Sequence, residues 1–246
     1  MSVSVRFAGS GDAFGSGGRF QTCILVHTPE LTAAIDFGAS SLIALNQLGI
    51  AHNGIDVILL THLHGDHCGG VPFLLLDAML GAQRRTPLTV AGPHDLAPRM
   101  AALQTALFPG SEAMRPKFPV DYVELPTMRP QTVRGLTVTA FPARHVAATN
   151  PTSLRLEVAG KVVSYTGDSE WTEHMPALAR DADLLIAECY FHAKPVPGHL
   201  NYPVLRERWR ELGAKRVILT HMGPEMLAQA DAVAEECACD GLLVDL

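Results

Sequence analysis

Short apolar runs rich in β-branched residues alternate along the chain with longer stretches whose apolar positions recur every three to four residues. The runs at 3–8, 23–28, 32–37, 56–62, 87–92, 136–143, 153–159, 161–168, 183–190 and 216–221 read as strands. The stretches at 40–49, 69–80, 93–108, 171–182, 202–213 and 224–238 read as helices, several opened by Ser or Pro and closed by Gly. Early strands follow one another closely, as hairpins do, and later ones alternate with helices. That order predicts an α/β protein with sheets packed on each other and helices outside. No linker, low-complexity segment or short-period repeat interrupts residues 1–246, which are expected to form one domain.

Four strands end in a polar group able to bind metal or move a proton: "DVILLTH", "KVVSYTGD", "DLLIAE" and "KRVILTH". Such endings suggest one shared rim, and the likeness of the first and last hints at two similar halves facing one site.

Composition narrows the partners. With 48% hydrophobic residues in 246, the chain can bury a large core. A formal charge of -6 supplies no broad electrostatic footprint for nucleic acid, although a local basic patch is compatible with it. The N-terminal "MSVSVRFAGSGDAF" has no secretory pattern, and runs such as "VPFLLL" are far too short to span a bilayer. Five cysteines at irregular spacing argue against a disulfide framework and fit a reducing cytoplasm. Cys237 and Cys239 lack a second pair or a nearby His to complete a tetrahedral site, and read as a chance pair at a helix end.

The chemistry concentrates in "THLHGDHCGG", where His62, His64, Asp66 and His67 fall within six positions. On an extended or turning segment beyond a strand, alternate side chains can point the same way while His67 turns to a neighbouring position, so one loop could feed two metals. Imidazole and carboxylate donors without thiolate suit a catalytic rather than a structural ion. Isolated surface histidines are the ordinary alternative, but this density, with Gly65, Gly69 and Gly70 between and after the donors, outweighs it. Cys68 reads as a small residue at a helix start.

The pattern His62-x-His64-x-Asp66-His67 resembles the signature of the metallo-β-lactamase fold superfamily, and "FPARHV", "SYTGDS" and "ILTHMG" extend the resemblance in order. It implies a four-layer αββα sandwich of two mixed β-sheets flanked by helices. It also implies that His62, His64 and His145 hold one metal, that Asp66, His67 and His221 hold another, and that Asp168 bridges them. The cofactors expected are two divalent ions, zinc foremost, with Mn2+ or Fe2+ accepted by the same donors. A hydroxide shared by two such ions is a nucleophile at neutral pH. Asp36 reads either as a residue that positions a ligand histidine or as a turn aspartate at a strand end.

Within the superfamily the nearest likeness is to ribonuclease Z-like phosphodiesterases, on "SGDAFGSGGRFQTC", "AECYF" and "PGHLNYPVLRE". The glycine loop is no dinucleotide fingerprint, since Phe14 stands at the third glycine position; it is expected to let backbone run close beside the metals. By this likeness Asp66, His199 and Glu188 are the catalytic groups, His199 donating a proton to the leaving group and Glu188 orienting it. The competing reading is a loop histidine beside a structural glutamate. His27, His52, His94, His174 and His192 match no motif. Transfer-RNA-processing members carry a basic arm, in bacterial forms between the third and fourth ligand motifs, yet Asp168 follows His145 by only 23 positions. The expected substrate is therefore a small or exposed phosphodiester rather than transfer RNA. Hydrolysis of a lactone, thioester or β-lactam, ribonuclease Z-like RNA 3′ processing, and a metal-binding module without turnover are the alternatives. The resemblance also implies a homodimer. The apolar stretches 69–80 and 96–108 could flank the pocket, form a subunit interface, or simply face the core.

Overall fold

The computed structural model describes residues 2–246. Its strands are β1 (Ser4–Gly9), β2 (Cys23–His27), β3 (Thr32–Ile35), β4 (Val57–Leu59), β5 (Leu88–Gly92), β6 (Val120–Glu124), β7 (Gln131–Val133), β8 (Leu136–Pro142), β9 (Thr152–Val158), β10 (Lys161–Tyr165), β11 (Leu184–Glu188), β12 (Val217–Thr220), β13 (Glu236–Cys237) and β14 (Leu243–Asp245). The helices are α1 (Ser41–Gln47), α2 (Gly65–Cys68), α3 (Val71–Leu80), α4 (Leu96–Leu107), α5 (Met175–Ala179), α6 (Tyr202–Glu207), α7 (Trp209–Leu212) and α8 (Pro224–Leu227). Among the described residues the strands form two seven-stranded mixed sheets, ordered β14-β1-β2-β3-β4-β5-β6 and β13-β12-β11-β10-β9-β8-β7.

Side-chain alternation along the strands builds four layers. Val57 and Leu59 of β4, with Leu184 and Ile186 of β11 and Ile218 of β12, belong to an apolar cluster between the sheets. Their neighbours point the other way: Ile58 joins Leu45, Leu74 and Met100 of α1, α3 and α4 on one outer face. Leu185 and Leu219 join Met175, Leu205, Leu212 and Met226 of the later helices on the other. The αββα sandwich follows, and α3 turns Leu74, Leu75 and Ala78 to the core.

Two expectations need correction. The stretch 224–238, read as one helix, is helical only through Leu227, and Cys237 lies in β13 beside β12 rather than at a helix end. Glu236 and Cys237 pair with β12, Ala238 N donates to the Leu219 carbonyl (2.7 Å), and just beyond, the Asp240 carboxylate accepts from Ser10 N (2.8 Å), Ser10 Oγ (2.8 Å) and Phe20 N (2.8 Å), so tertiary contacts override local helix propensity. The stretch 202–213 divides at Arg208 into α6 and α7. Among the described residues no helix is long and apolar enough to cross a membrane.

Candidate metal centre

β10, β11 and β12 run parallel, and β8, antiparallel to β9 like β10, points the same way, so their C-terminal ends share one rim. The four polar strand endings meet there. Beyond β4, His64 keeps extended backbone and opens α2, its carbonyl accepting from His67 N (3.1 Å) and Cys68 N (2.9 Å). Asp66 and His67 thus project from a helical turn rather than from an extended strand. His145 follows β8, Asp168 follows β10, Glu188 ends β11, and His221 follows β12 in left-handed backbone at φ 54°.

Three imidazoles converge first: His64 Nδ1 lies 3.1 Å from both His62 Nε2 and His145 Nε2. Their partners fix the tautomers. His145 Nδ1 donates to the Gly198 carbonyl (2.8 Å), so its Nε2 carries the lone pair. Thr61 Oγ1 spends its proton on Asp36 (2.8 Å) and therefore accepts from His62 Nδ1 (3.1 Å), leaving a lone pair on His62 Nε2. Two lone pairs aimed at His64 Nδ1 can be met by its proton or by a cation held among the three nitrogens. Burial pushes all three imidazoles below their ordinary pKa, toward the neutral form a metal requires.

The second cluster is buried. Asp66 Oδ2 lies 3.2 Å from His67 Nε2 and 3.3 Å from His221 Nε2. Asp168 Oδ1 lies 3.3 and 3.5 Å from the same two nitrogens. Donors around a tetrahedral ion at about 2.0–2.2 Å are separated by roughly 3.3–3.6 Å. Among the described residues His67 Nε2 and Asp168 Oδ1 have no hydrogen-bond partner although buried, as atoms reserved for a ligand would be. The donor set therefore fits divalent metal ions. Burial opposes charge on Asp66 and Asp168, but His67 and His221 hold both carboxyls well below the usual range. Burial likewise opposes the imidazolium forms, and Asp168 and Asp66 reverse it, lifting His67 well above its ordinary value and His221 to about 9.

Behind the donors, Asp36 occupies left-handed backbone at φ 57° and is fully buried. Its Oδ2 accepts from His67 Nδ1 (2.7 Å), and its Oδ1 from Thr61 N (2.8 Å). Asp36 thus stands in the turn at the end of β3 and also bonds a histidine of the cluster, in keeping with both readings of this residue. Glu188 is buried, accepts from Ser169 N (3.0 Å) and Leu200 N (3.1 Å), and bonds His199 Nδ1 through a short hydrogen bond. The His199 ring packs 4.9 Å from those of Tyr190 and His145. From the glycine loop, the Ser10 carbonyl receives His221 N (3.1 Å).

Thr61, Tyr190 and the Gly198 carbonyl carry positioning roles that the sequence reading did not assign. Thr61 had a visible signal, the Thr-His ending common to β4 and β12, whereas a carbonyl contact has none. The unmatched histidines stay outside the clusters: His27 bonds Thr32, His52 Asp77 and His94 Glu124, His174 faces Glu173, and His192 stacks on Tyr202. Cys68 is buried in the outer core of the first sheet.

Fold and donor set together define the class of αββα proteins with a metal-binding rim. Within that class the chain belongs to the beta-lactamase superfamily, whose domain model matches residues 35–222, from the residue before Asp36 to the one after His221. It is 32% identical over 131 residues to a ribonuclease Z of Lachnoclostridium phytofermentans, a match covering 52% of this chain but only 40% of that protein. To the ribonuclease Z of Agathobacter rectalis it is 24% identical over 249 aligned positions, covering 80% of each. The fold superposes on the metallo-beta-lactamase fold protein YhfI of Bacillus subtilis with a TM-score of 0.82 at 20% identity, covering 100% of both chains.

Proposed function

We propose that the chain is a phosphodiesterase that works with two divalent ions, zinc foremost, on small or exposed phosphodiesters. Asp168 carries the reading: its Oδ1 faces His67 and His221, while its Oδ2 faces His145 Nε2 at 4.0 Å, so one carboxylate serves both donor clusters. His62, His64 and His145 would hold one ion and Asp66, His67 and His221 the other. Bound there, the ions supply Lewis acidity and a water-derived nucleophile at neutral pH.

The chain itself supplies the proton for the leaving group. With Nδ1 tied to Glu188, His199 has Nε2 free to donate to a departing alkoxide. Burial lowers the pKa of His199, and Glu188 with Asp168 more than offsets this, so the imidazole lies above its ordinary value. The ribonuclease Z names of the relatives support phosphorus over carbonyl carbon as the centre attacked. They also support a second reading, an RNA substrate. Against transfer RNA stands the interval from His145 to Asp168, which is a single 3-10 turn followed by the β9-β10 hairpin.

Metal analysis of purified protein, followed by assay on bis(p-nitrophenyl) phosphate, a lactone, a β-lactam and a precursor transfer RNA, tests the proposal. Two ions per chain and turnover of the phosphate diester are expected, and Asp168→Ala should lose both together. A fully metallated sample inert toward the diester but active on the lactone or β-lactam would overturn it.

A further inference from the structure

A cleft of about 390 Å³ opens over the metal-binding clusters, and its lining adds apolar side chains to their donors. Phe14, Val146, Phe191 and Val196 line it together with His64 and His199. Phe14 is 83% exposed, the most open large apolar side chain among the described residues. Its loop is nonetheless fixed from below. The buried Asp12 carboxylate accepts from Phe14 N (3.2 Å), Ser16 N (2.9 Å), Ser16 Oγ (2.7 Å) and Tyr190 Oη (3.1 Å). Tyr190 in turn packs against His199 and Phe191 at 4.9 and 4.6 Å, so the loop is bonded to the same wall that carries the proposed proton donor.

A phenyl ring held open to water at the mouth of a catalytic cleft, on a loop anchored by four hydrogen bonds, is placed to be covered by a ligand. The rest of the lining says which kind. Among the described residues of the cleft none is Lys or Arg, so a second phosphate would find no guanidinium or ammonium to pair with there. What remains is apolar and aromatic surface, suited to an uncharged planar ring.

We propose that Phe14 is a specificity-determining residue that packs against a planar aromatic ring on one ester group of the substrate. This rests on the phosphodiesterase reading and narrows it. The test uses two diesters with the same scissile bond, adenosine 2′,3′-cyclic phosphate and methyl riboside 2′,3′-cyclic phosphate, followed by phosphorus NMR. The wild-type protein should prefer the adenosine compound in kcat/KM. Phe14→Ala should lower that preference about tenfold (about 1.4 kcal/mol) through KM, and Phe14→Trp should restore it. An equal loss on both compounds, or no preference in the wild type, would overturn the assignment.

If metal-replete protein turns over neither compound, calorimetry decides, with adenosine 3′-phosphate and methyl riboside 3′-phosphate as probes. Tighter binding of the adenosine probe that disappears in Phe14→Ala supports the ring contact. Equal binding of both probes removes it. Failure of the phosphodiesterase reading shows separately, as inertness toward bis(p-nitrophenyl) phosphate.

Discussion

Asp36 and Thr61 act on both metal-binding clusters from one buried point, Asp36 through His67 and Thr61 through His62. Partners of this kind typically set metal affinity by a factor of about 10–100. Thr61→Val removes the acceptor of His62 Nδ1 and a donor to a buried carboxylate, so we expect metal affinity to fall by about 10–100-fold in chelator competition. Stability should fall by about 1–3 kcal/mol in denaturant titration, and Thr61→Ser should keep most of both. A Val variant with unchanged affinity would remove Thr61 from the site. His199→Ala separates chemistry from binding: its metal content should match the wild type, while turnover falls by about 10²–10⁴-fold on an alkyl leaving group. The loss should be smaller for nitrophenolate, which leaves without a proton. Wild-type rates on the alkyl ester would end the proton-donor role. At this scale the dense run from His62 to His67 was legible from the residues themselves, whereas His145, Asp168 and His221 joined it only through the motif resemblance; the structure brings all seven side chains together. Backbone partners were not legible, since any residue supplies a carbonyl like that of Gly198.

Elements set the clusters by pressing backbone on backbone at the junction of β3 and α2. Phe37 N donates to the His67 carbonyl (2.6 Å), and Gly70 N to the Phe37 carbonyl (2.8 Å). A Cβ on Gly38 would stand 2.2 Å from the Asp66 carbonyl oxygen and 2.6 Å from Gln21 Cβ. Gly38→Ala should therefore cost about 1–3 kcal/mol by overpacking and displace Asp66 and His67, read as a drop in both melting temperature and metal content. Gly54→Ala, whose Cβ would meet nothing within 4 Å, should stay within about 1 kcal/mol of wild type. Equal effects of the two would break the link between this junction and the centre. The long apolar strands were readable from pattern, whereas β6, β7 and β14 were not. β6 and β14 carry no buried apolar run, and β7 is three residues long. The helix expected over 224–238 failed for a different reason: its Ala- and Glu-rich sequence favours helix locally, and the pairing with β12 and the Asp240 contacts with Ser10 and Phe20 prevail.

At the scale of the whole molecule, two sheets bring donors from both halves of the chain to one rim, yet the two clusters differ in proton content. In the polypeptide alone His62, His64 and His145 are held toward neutrality, whereas His67 is lifted well above its ordinary pKa and His221 to about 9. A metal takes only the deprotonated imidazole, so an ion entering the first cluster displaces no imidazole proton at pH 7, and one entering the second displaces up to two. The sign follows: below pH 9 protons compete with that ion, and its apparent affinity falls as pH falls, up to about tenfold per pH unit for each proton displaced. Above about 9 the contribution of His221 vanishes. Calorimetric metal titration of chelator-stripped protein, in two buffers of different ionisation enthalpy at pH 7 and pH 9.5, counts the protons directly. We expect the second cluster's event to release more protons than the first at pH 7, about two of them from imidazole, and the difference to shrink at pH 9.5. Equal proton release from both events would mean that Asp66 and Asp168 do not hold their partners protonated, and the unequal division of charge between the clusters would have to be abandoned.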